Sequence, residues 1–461
     1  MTATEFNGAI DKTAAAAPLD ESNNNAKNTN ALMMSNAISH TQMTNHNVVV
    51  TTNTSNATKV FVENDDAPAP IRRTIFFISD VSEVLARYDF KEKIGTGGFA
   101  TVMRAIEKET GCEVAIKIVD RQKYAPTDKS YEREFQVLST LYHENIVHLR
   151  CTYVTEKNVF MVTEVVHGGE LLERITEEGS YSETDASLII TQILKAVEYL
   201  HSKKVVHRDI KLENILMSDR SPKATVKLID FGLSRLPQVG SEMRTICGSP
   251  LYVAPEILDT KASDTAYTPA VDMWSVGVIL FILLSGYSPF DHDDEEQLFK
   301  HIREGVYCMD DRIWRYISEG AKDCVRKLLT VDVTHRMTAT QALQHPWILA
   351  HKKKYNRRNN THSTSEETTT DDMTPTTTND MMGTDDGSGV SLTSSLNRLQ
   401  PEMPKDILGE KQKRLVQRLE SIRMVREEEA LAMDIAMQQD GRGAERGGAL
   451  SDFTYCENTL K

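Results

Sequence analysis

Regular apolar spacing runs from about residue 88 to residue 349 of this 461-residue chain, and it is lost on both sides. Strand-like alternation comes first, and two such runs meet at the turn signal Glu109-Thr110-Gly111. Helical periodicity follows, as in residues 186–200 and 274–284. Strands followed by helices predict an α+β domain in two parts, and about 260 residues are ample for a large core.

The flanking regions lack the apolar residues that a folded core requires. We predict disordered regions at 1–87, which is rich in Asn, Thr and Ala, at 350–404, which is rich in Thr and Asp, and at 440–461.

Residues 405–439 have helical spacing instead, and their first half is basic. The pattern predicts an amphipathic helix, marked by Leu408, Leu415, Leu419, Ile422 and Val425. Three interpretations stay open for its basic part, residues 412–426: a calmodulin target, a short coiled coil, or a helix that docks on the central domain.

Composition excludes several classes of protein. A net charge of -14 gives no reason to expect a nucleic-acid partner. Six scattered cysteines, without a Cys-x-x-Cys pair, indicate a reducing compartment and neither a disulfide framework nor a zinc site. The first twenty residues carry no signal peptide, and the most apolar stretch, 271–284, is too short to span a bilayer. We therefore expect a soluble cytoplasmic protein without a membrane partner, while the basic run 352–358 fits either a nuclear import signal or solvated charge.

A glycine-rich loop, Gly95-Thr96-Gly97-Gly98-Phe99-Ala100, joins two strand-like runs. A dinucleotide-binding turn would need a helix next and an acid about 20 residues later. Residues 101–106 instead alternate like a strand, and Lys117 stands near the position of that acid. Such a hairpin can fold over phosphates, because the missing side chains allow close backbone approach. By itself the loop is equally compatible with a plain surface hairpin.

Charged and amide side chains that could carry chemistry stand at the ends of apolar runs in three places. Lys117 ends the apolar run Val114-Ala115-Ile116, so its ammonium must either reach water or find a partner, for which Glu134 on a helical stretch is a candidate. The segment 207–214, HRDIKLEN, places a potential base, a cation and a metal-binding amide in one short loop. Asp230-Phe231-Gly232 adds a carboxylate at the end of a strand-like run. Each signal is weak alone, whereas their ordered combination is specific.

The ordered set GTGGFATV, VAIK, the Glu134 helix, HRDIKLEN, DFG and Ala254-Pro255-Glu256 resembles the eukaryotic protein kinase family over about residues 88–349. The stretches GGEL, CGSPLYVAPEIL and HRMTATQALQHPW are most similar to the calcium/calmodulin-dependent protein kinase group. Lys211 and Ser249 resemble the serine/threonine class rather than tyrosine kinases. The resemblance implies a bilobal fold, with an N-lobe of antiparallel sheet and one main helix and a mainly helical C-lobe. It also implies a serine/threonine kinase that uses ATP and Mg2+.

The resemblance gives individual positions a role. Asp209 is expected to accept the proton of the substrate hydroxyl, while Lys211 neutralises charge on the transferred phosphoryl group. Lys117, aligned by Glu134, is expected to hold the α- and β-phosphates. Asn214 and Asp230 are the expected Mg2+ ligands. The other expected nucleotide-binding residues are Ile94, Gly95, Thr96, Gly97, Gly98, Phe99, Ala100, Thr101 and Val102 around the phosphates, and Ala115, Thr163, Glu164, Val166, Glu170 and Leu216 around adenine and ribose.

The resemblance also implies partners and regulation. Glu170 and Glu213 are expected to favour a protein substrate with basic residues upstream of the Ser or Thr acceptor. Thr245 is the expected activation-loop site of an upstream kinase, where a phosphate would pair with Arg208. The alternative from another class is a pseudokinase or scaffold that acts through its tails. Intact Lys117, Asp209, Asn214 and Asp230 argue against it.

Three further expectations concern structure rather than chemistry. Glu256 is expected to pair with Arg336, and Asp272 to bond the backbone of the catalytic loop. An apolar stack between the lobes is expected from His207, Phe231, Leu138 and Leu149.

Overall fold

The computed structural model describes residues 48–52, 58–62, 73–96, 100–121, 130–178, 181–221, 224–231, 250–258, 268–309, 313–363, 412–421 and 424. They form a sheet-based N-lobe and a helical C-lobe, as the sequence predicted. None of the described helices is long and apolar enough to cross a membrane.

The N-lobe is built on an eight-stranded sheet in the order β1-β2-β3-β7-β8-β6-β5-β4. Its strands are β1 (Val48–Thr52), β2 (Thr58–Val62), β3 (Arg73–Phe77), β4 (Tyr88–Thr96), β5 (Ala100–Glu107), β6 (Glu113–Asp120), β7 (Leu149–Val154) and β8 (Asn158–Thr163). Two helices accompany it, the short α1 (Ser82–Arg87) and the main helix α2 (Ser130–Thr140).

The predicted antiparallel sheet is present, and one parallel pair is added to it. Strands β4 to β8 pair antiparallel, but β3 runs parallel to β7, with Ile75 opposite Thr152. The sheet is therefore mixed. A parallel pair needs a long connection, and the chain between β3 and β7 supplies it with three strands and two helices.

The prediction of disorder over 1–87 does not hold for the described residues 48–52, 58–62 and 73–87, which contain strands β1 to β3 and helix α1. The run Thr74–Ile78 is apolar and rich in β-branched and aromatic residues, so it adds to the edge of β7 and buries Ile75 to 2% exposure. The Phe76 ring stacks on Tyr153 with centroids 4.8 Å apart. Helix α1 then packs Val84 into a second apolar cluster, together with Tyr88 and Ile116. The folded unit thus begins before residue 88.

The C-lobe surrounds one buried helix. Helix α6 (Ala270–Ser285) is apolar on all sides and ends at Gly286, whose φ of 79° is left-handed. Around it lie α3 (Leu171–Glu178), α4 (Glu183–Ser202), α5 (Pro255–Leu258), α7 (Glu295–Glu304), α8 (Glu319–Leu328), α9 (Ala339–Leu343) and α10 (Pro346–Ser363), with the hairpin β9 (Ile215–Met217) and β10 (Val226–Leu228).

Helix starts in the C-lobe follow local sequence signals. Ser182 caps α4 by accepting the N–H of Asp185, and Thr338 and Gln341 form a capping box at α9. At the other end of the domain, α10 runs to Ser363, so the predicted disordered linker 350–404 was wrong for its first residues. Trp347 and His351 of α10 anchor the helix on Glu183.

The predicted helix 405–439 is described in part. Residues 412–421 are helical, and Leu415 and Leu419 belong to the main apolar core. Of the three interpretations, the structure shows the helix that docks on the domain. Apart from Met424, the remainder of 405–439 and the predicted disorder at 440–461 lie outside the described residues.

Candidate active site

The glycine-rich loop is the end of an antiparallel hairpin. Gly95 of β4 lies opposite Val102 of β5, and Thr96 opposite Thr101. Ladder irregularities between Phe90 and Gly95 bend β4 just before the loop. Ile94 is half exposed and Ala100 and Thr101 partly buried at the base of the loop. Gly97, Gly98 and Phe99 lie outside the described residues.

The segment between the lobes carries the predicted adenine positions. Thr163 ends β8 and lies opposite Ala115 of β6, while Val102, on the neighbouring strand β5, continues the same wall. The Glu164 amide donates to the carbonyl of His148 (3.1 Å), so an adenine edge here would meet the Glu164 carbonyl instead. The Glu164 carboxylate is held by Lys227 at 2.7 Å.

The floor of the same cleft depends on two glycines. Glu170 bridges to Leu216 of β9, so the start of α3 runs directly along the C-lobe hairpin. A Cβ on Gly168 would lie 2.3 Å from the carbonyl oxygen of Met217, closer than side chains tolerate. Gly169 has a left-handed φ of 76°. The chain can therefore turn from Val166 to Glu170 only with glycine at both positions.

Lys117 does not reach out to water. Its Nζ lies 2.6 Å from Glu134 Oε1 of α2 and 3.1 Å from Asp230 Oδ1. Burial opposes the charge, but the carboxylates of Asp230 and Glu134 raise the Lys117 pKa above its ordinary value. The lysine is therefore a cation at neutral pH, held by one carboxylate from the N-lobe and one from the loop after β10.

The second loop is organised around Asp209. Its Oδ2 accepts hydrogen bonds from Lys211 Nζ (2.6 Å) and Asn214 Nδ2 (2.9 Å), and Asn214 Nδ2 also donates to the Asp209 carbonyl (2.8 Å). Asp209 and Lys211 are each about one-tenth exposed. An ionised carboxylate that retains one less engaged oxygen can accept a proton from a hydroxyl group placed beside it.

The predicted support beneath this loop is present. Asp272 of α6 accepts the backbone N–H groups of His207 and Arg208 at 2.9 and 2.8 Å. The His207 ring packs against Phe231 with centroids 4.8 Å apart, and burial lowers the His207 pKa. Leu138 and Leu149 are buried in the same core, as expected for a stack that joins the lobes. Arg208 and Asp230 both have left-handed backbone, with φ of 71° and 60°.

A divalent metal fits between Asn214 and Asp230. Both Nδ2 hydrogen bonds of Asn214 go to Asp209, so its amide oxygen is the atom that can bind a hard cation. The N–H of Ile229 donates to the Asn214 carbonyl at 2.9 Å, which ties the loop of Asn214 to that of Asp230. Among the described residues there is no group of three or more His, Cys, Asp or Glu side chains that could hold a metal ion by itself. Two protein ligands suit Mg2+, which binds through few carboxylates plus substrate phosphates.

The predicted Glu256–Arg336 pair is bidentate, with distances of 2.7 and 2.8 Å. Arg336 is fully buried, lies over the Trp274 ring, and also donates to the carbonyls of Thr330 and Ala270. The pair holds α5 against the helical core. The segment before α5 contains Thr245 and Ser249, which lie outside the described residues.

Sequence reasoning missed His201. Its Nε2 lies 2.9 Å from Asp272 Oδ2, the oxygen that also holds His207. Hydrogen bonds and charge from His201 outweigh burial, so the pKa of Asp272 is lowered and it stays ionised. The only available signal was its place at the end of the helix before the catalytic loop. It acts on that loop through another residue, which no local motif reveals.

Comparison with known proteins points to one family. Residues 88–348 match the family model described as protein kinase domain. The calcium/calmodulin-dependent protein kinase type 1 of Macrobrachium nipponense is 46% identical over 263 residues, which are 57% of this chain and 75% of the relative. Myosin light chain kinase A of Dictyostelium discoideum is 41% identical over 269 residues, or 58% of this chain and 90% of the relative. The "Probable serine/threonine-protein kinase fhkC" of Dictyostelium discoideum is 43% identical over 272 residues, but this chain spans only 45% of it.

Proposed function

This chain belongs to the protein kinase family, with a domain of the serine/threonine type, and on that premise we propose its specific reaction. Protein kinase domains use ATP and a divalent metal and act on proteins. We propose that the metal is Mg2+ and that the whole protein phosphorylates Ser or Thr preceded by basic residues.

The geometry at Asp209 carries the proposal. Asp209 is the base that accepts the acceptor proton, and Lys211, 2.6 Å away, lies where it can neutralise the incoming phosphoryl charge. Lys117, held by Glu134 and Asp230, binds the nucleotide phosphates. Asn214 and Asp230 would hold Mg2+, which supplies charge neutralisation on the phosphates when bound. Positioning and electrostatics then carry the rate, because the protein forms no covalent bond in this reaction.

One experiment distinguishes the proposed kinase reaction from the rival function, a scaffold without catalysis. Transfer of labelled γ-phosphate from ATP to a basic peptide is measured for the full chain and for Asp209→Asn, which keeps the shape of the side chain. We expect the variant to be slower by about 10²-fold or more. Equal and negligible transfer by both proteins, with ATP binding retained, would favour the scaffold.

The preference for basic substrates rests on two carboxylates near the cleft. Glu170 begins the turn into α3, and Glu213 lies within the catalytic loop, four residues after Asp209. A substrate arginine near them would gain a charge-assisted hydrogen bond. Peptides that differ only by Arg or Ala at upstream positions test this. The Arg peptide should be used at lower KM, and Glu213→Gln should reduce the difference; identical KM values would exclude the preference.

Regulation through Thr245 remains a proposal from the sequence. Arg208 directly precedes the base, and a phosphate on Thr245 would pair with its guanidinium and order the activation segment. Thr245→Ala is expected to lower kcat after treatment with an upstream kinase, and Arg208→Lys to lower it similarly. Undiminished activity of Thr245→Ala would exclude this regulation.

One relative is named a calcium/calmodulin-dependent protein kinase and another a myosin light chain kinase. We propose that the basic residues 412–426 bind calmodulin. In the docked helix Leu415 and Leu419 are buried, so calmodulin would have to displace it from the domain. A calcium-dependent pull-down with the 405–439 peptide and with the full chain tests this. Binding by neither would exclude it.

A further inference from the structure

Residues 412–421, which we name the C-terminal segment, dock as a helix on the C-lobe and lie outside the matched domain of 88–348. Leu415 and Leu419 are 4% and 3% exposed. Gln412 Nε2 donates to the carbonyl of Ile175, in the last turn of α3, where a helix leaves its carbonyls without internal partners. The segment is therefore held by apolar burial on one side.

The other side of the segment is held by charge. Arg414 Nη2 lies 2.6 Å from Asp293, and its Nε lies 3.0 Å from Asp291. Arg418 Nη1 lies 2.5 Å from the second oxygen of Asp291 and donates to the carbonyl of His292. The hydrogen bond that Arg414 donates to Asp293, with the charge of Asp291, raises the pKa of Arg414. The two arginines, one helical turn apart, thus share the loop between α6 and α7.

Ser421 stands on the same row of the helix. It follows Arg418 by three residues and Arg414 by seven, a spacing that places all three on one face. Its side chain is exposed, and its Oγ donates to the Gln417 carbonyl at 2.8 Å. A charge added at Ser421 would therefore lie one turn from the arginine that binds Asp291.

We propose that Ser421 is a phosphorylation site and that its phosphate releases the C-terminal segment from Asp291 and Asp293. A phosphoserine carries a charge of about −1.5 to −2 at neutral pH and three strong acceptor oxygens. It competes with Asp291 for Arg418 within the same helix. It is also repelled by Asp291 and Asp293. Both effects weaken docking.

The sequence around Ser421 also suits this kinase as its own modifying enzyme, a point that rests on the proposed function. Arg418 provides a basic residue three positions upstream. In the transfer, Ser421 Oγ forms a bond to the γ-phosphorus of ATP, the bond to the bridging oxygen breaks, ADP leaves, and Asp209 takes the hydroxyl proton. Because Oγ is bonded within the helix, the reaction captures molecules whose helix has opened locally at Ser421, and the phosphate keeps them undocked.

The release is tested on the full chain with phosphoserine introduced at position 421 during synthesis, which requires no kinase activity. Backbone hydrogen exchange of residues 414–419 reports docking. We expect protection to fall about tenfold or more with phosphoserine and to stay unchanged in Ser421→Ala. Lys413→Glu is the matched control, since it changes the charge of the segment equally at an exposed position off the arginine row. Unchanged protection with phosphoserine, or an equal loss in Lys413→Glu, overturns the proposal.

The identity of the modifying enzyme is tested separately. After incubation with ATP, mass spectrometry should find phosphate on Ser421 in the natural chain and none in Asp209→Ala. If the chain phosphorylates a basic peptide but leaves Ser421 unmodified, self-modification is excluded while the proposed function stands. If it phosphorylates neither, the proposed function fails, and the phosphoserine protein still decides whether the segment is released.

Discussion

Asp272 Oδ1 accepts a hydrogen bond from the backbone N–H of Arg208 at 2.8 Å. The central helix of the C-lobe, α6, therefore directly binds the residue before the proposed base. Arg208 has a φ of 71°, a conformation that costs about 1 kcal/mol or more for a residue with a side chain. The buried carboxylate holds that strained backbone by two hydrogen bonds, one to Arg208 and one to His207. The position of Asp209 is thus set by a residue that does not itself line the cleft.

Replacement of Asp272 by Asn should weaken the support of the catalytic loop without changing nucleotide binding. An amide has one acceptor oxygen, so one of the two loop N–H groups would face an NH2 group. We expect the free energy of unfolding to fall by about 1–3 kcal/mol and kcat to fall about tenfold or more, with KM for ATP nearly unchanged. Denaturant unfolding and peptide phosphorylation measure these quantities. A variant with normal kcat would show that the catalytic loop needs no such support.

Removal of one partner of the Glu256–Arg336 pair should destabilise the protein more than the pair itself stabilises it. Arg336 is fully buried, so Glu256→Ala leaves an uncompensated guanidinium and should destabilise the fold by about 3–5 kcal/mol. The double variant Glu256→Ala, Arg336→Met should lose less than the sum of the two single changes, because no buried charge remains. Chemical denaturation of all four proteins measures the coupling. Additive losses would mean that the two side chains do not act as a pair.

The sequence predicted those parts of the fold and the site that short local motifs determine. The hairpin of β4 and β5, the caps of α4 and α9, and the loop around Asp209 all depend on neighbours within a few residues. The contact of Lys117 with Asp230 joins residues 113 positions apart, and only the resemblance to known kinases indicated that both belong to one site.

What could not be predicted depends on surfaces that exist only in the folded protein. Strand β3 had no visible partner in the sequence, because its place is the edge of β7, and that edge exists only in the folded lobe. The C-terminal segment had three interpretations for the same reason. Its arginines and leucines suit several partners, and the structure selects Asp291 and the core beside α3. Tertiary context decided both cases, not local propensity.

Glu183 predicts a pH dependence of stability. Burial opposes its ionisation, but hydrogen bonds from His351, Ser318 and Trp347 lower its pKa to about 2 from 4.5. A lowered folded pKa gives stability that is complete above about pH 4.5 and is lost as the pH falls toward 2. Between pH 7 and 3.5 the natural protein should therefore lose about 1 kcal/mol more than Glu183→Gln.

Urea unfolding at the two pH values measures this difference, with the exposed Glu304→Gln as control. The control should follow the natural protein. If Glu183→Gln shows the same pH dependence as the natural protein, the carboxylate is not linked to folding in this range.

Loss of the Lys117–Glu134 pair should lower kcat/KM for ATP more than it lowers the stability of the lobes. Glu134→Gln keeps a hydrogen-bond acceptor but removes the charge that positions Lys117, while Asp230 still holds the ammonium at 3.1 Å. We expect kcat/KM for ATP to fall about tenfold to a hundredfold, and Lys117→Arg, whose guanidinium has a different shape, to fall at least as far. Steady-state kinetics with varied ATP measures both. Loss of less than twofold in Glu134→Gln would show that Asp230 alone aligns the lysine.

Strand β3, which precedes the matched domain, should contribute to the stability of the folded domain. Ile75 is 2% exposed on β3 and packs into the main core, so Ile75→Ala should lower the free energy of unfolding by about 2–4 kcal/mol. Thr74→Ala, on the same strand with a partly exposed side chain, should cost less than 1 kcal/mol and serves as the control. Thermal and denaturant unfolding of the full chain measure both variants. If Ile75→Ala unfolds like Thr74→Ala, β3 adds nothing to the stability of the kinase domain, and that domain begins at β4.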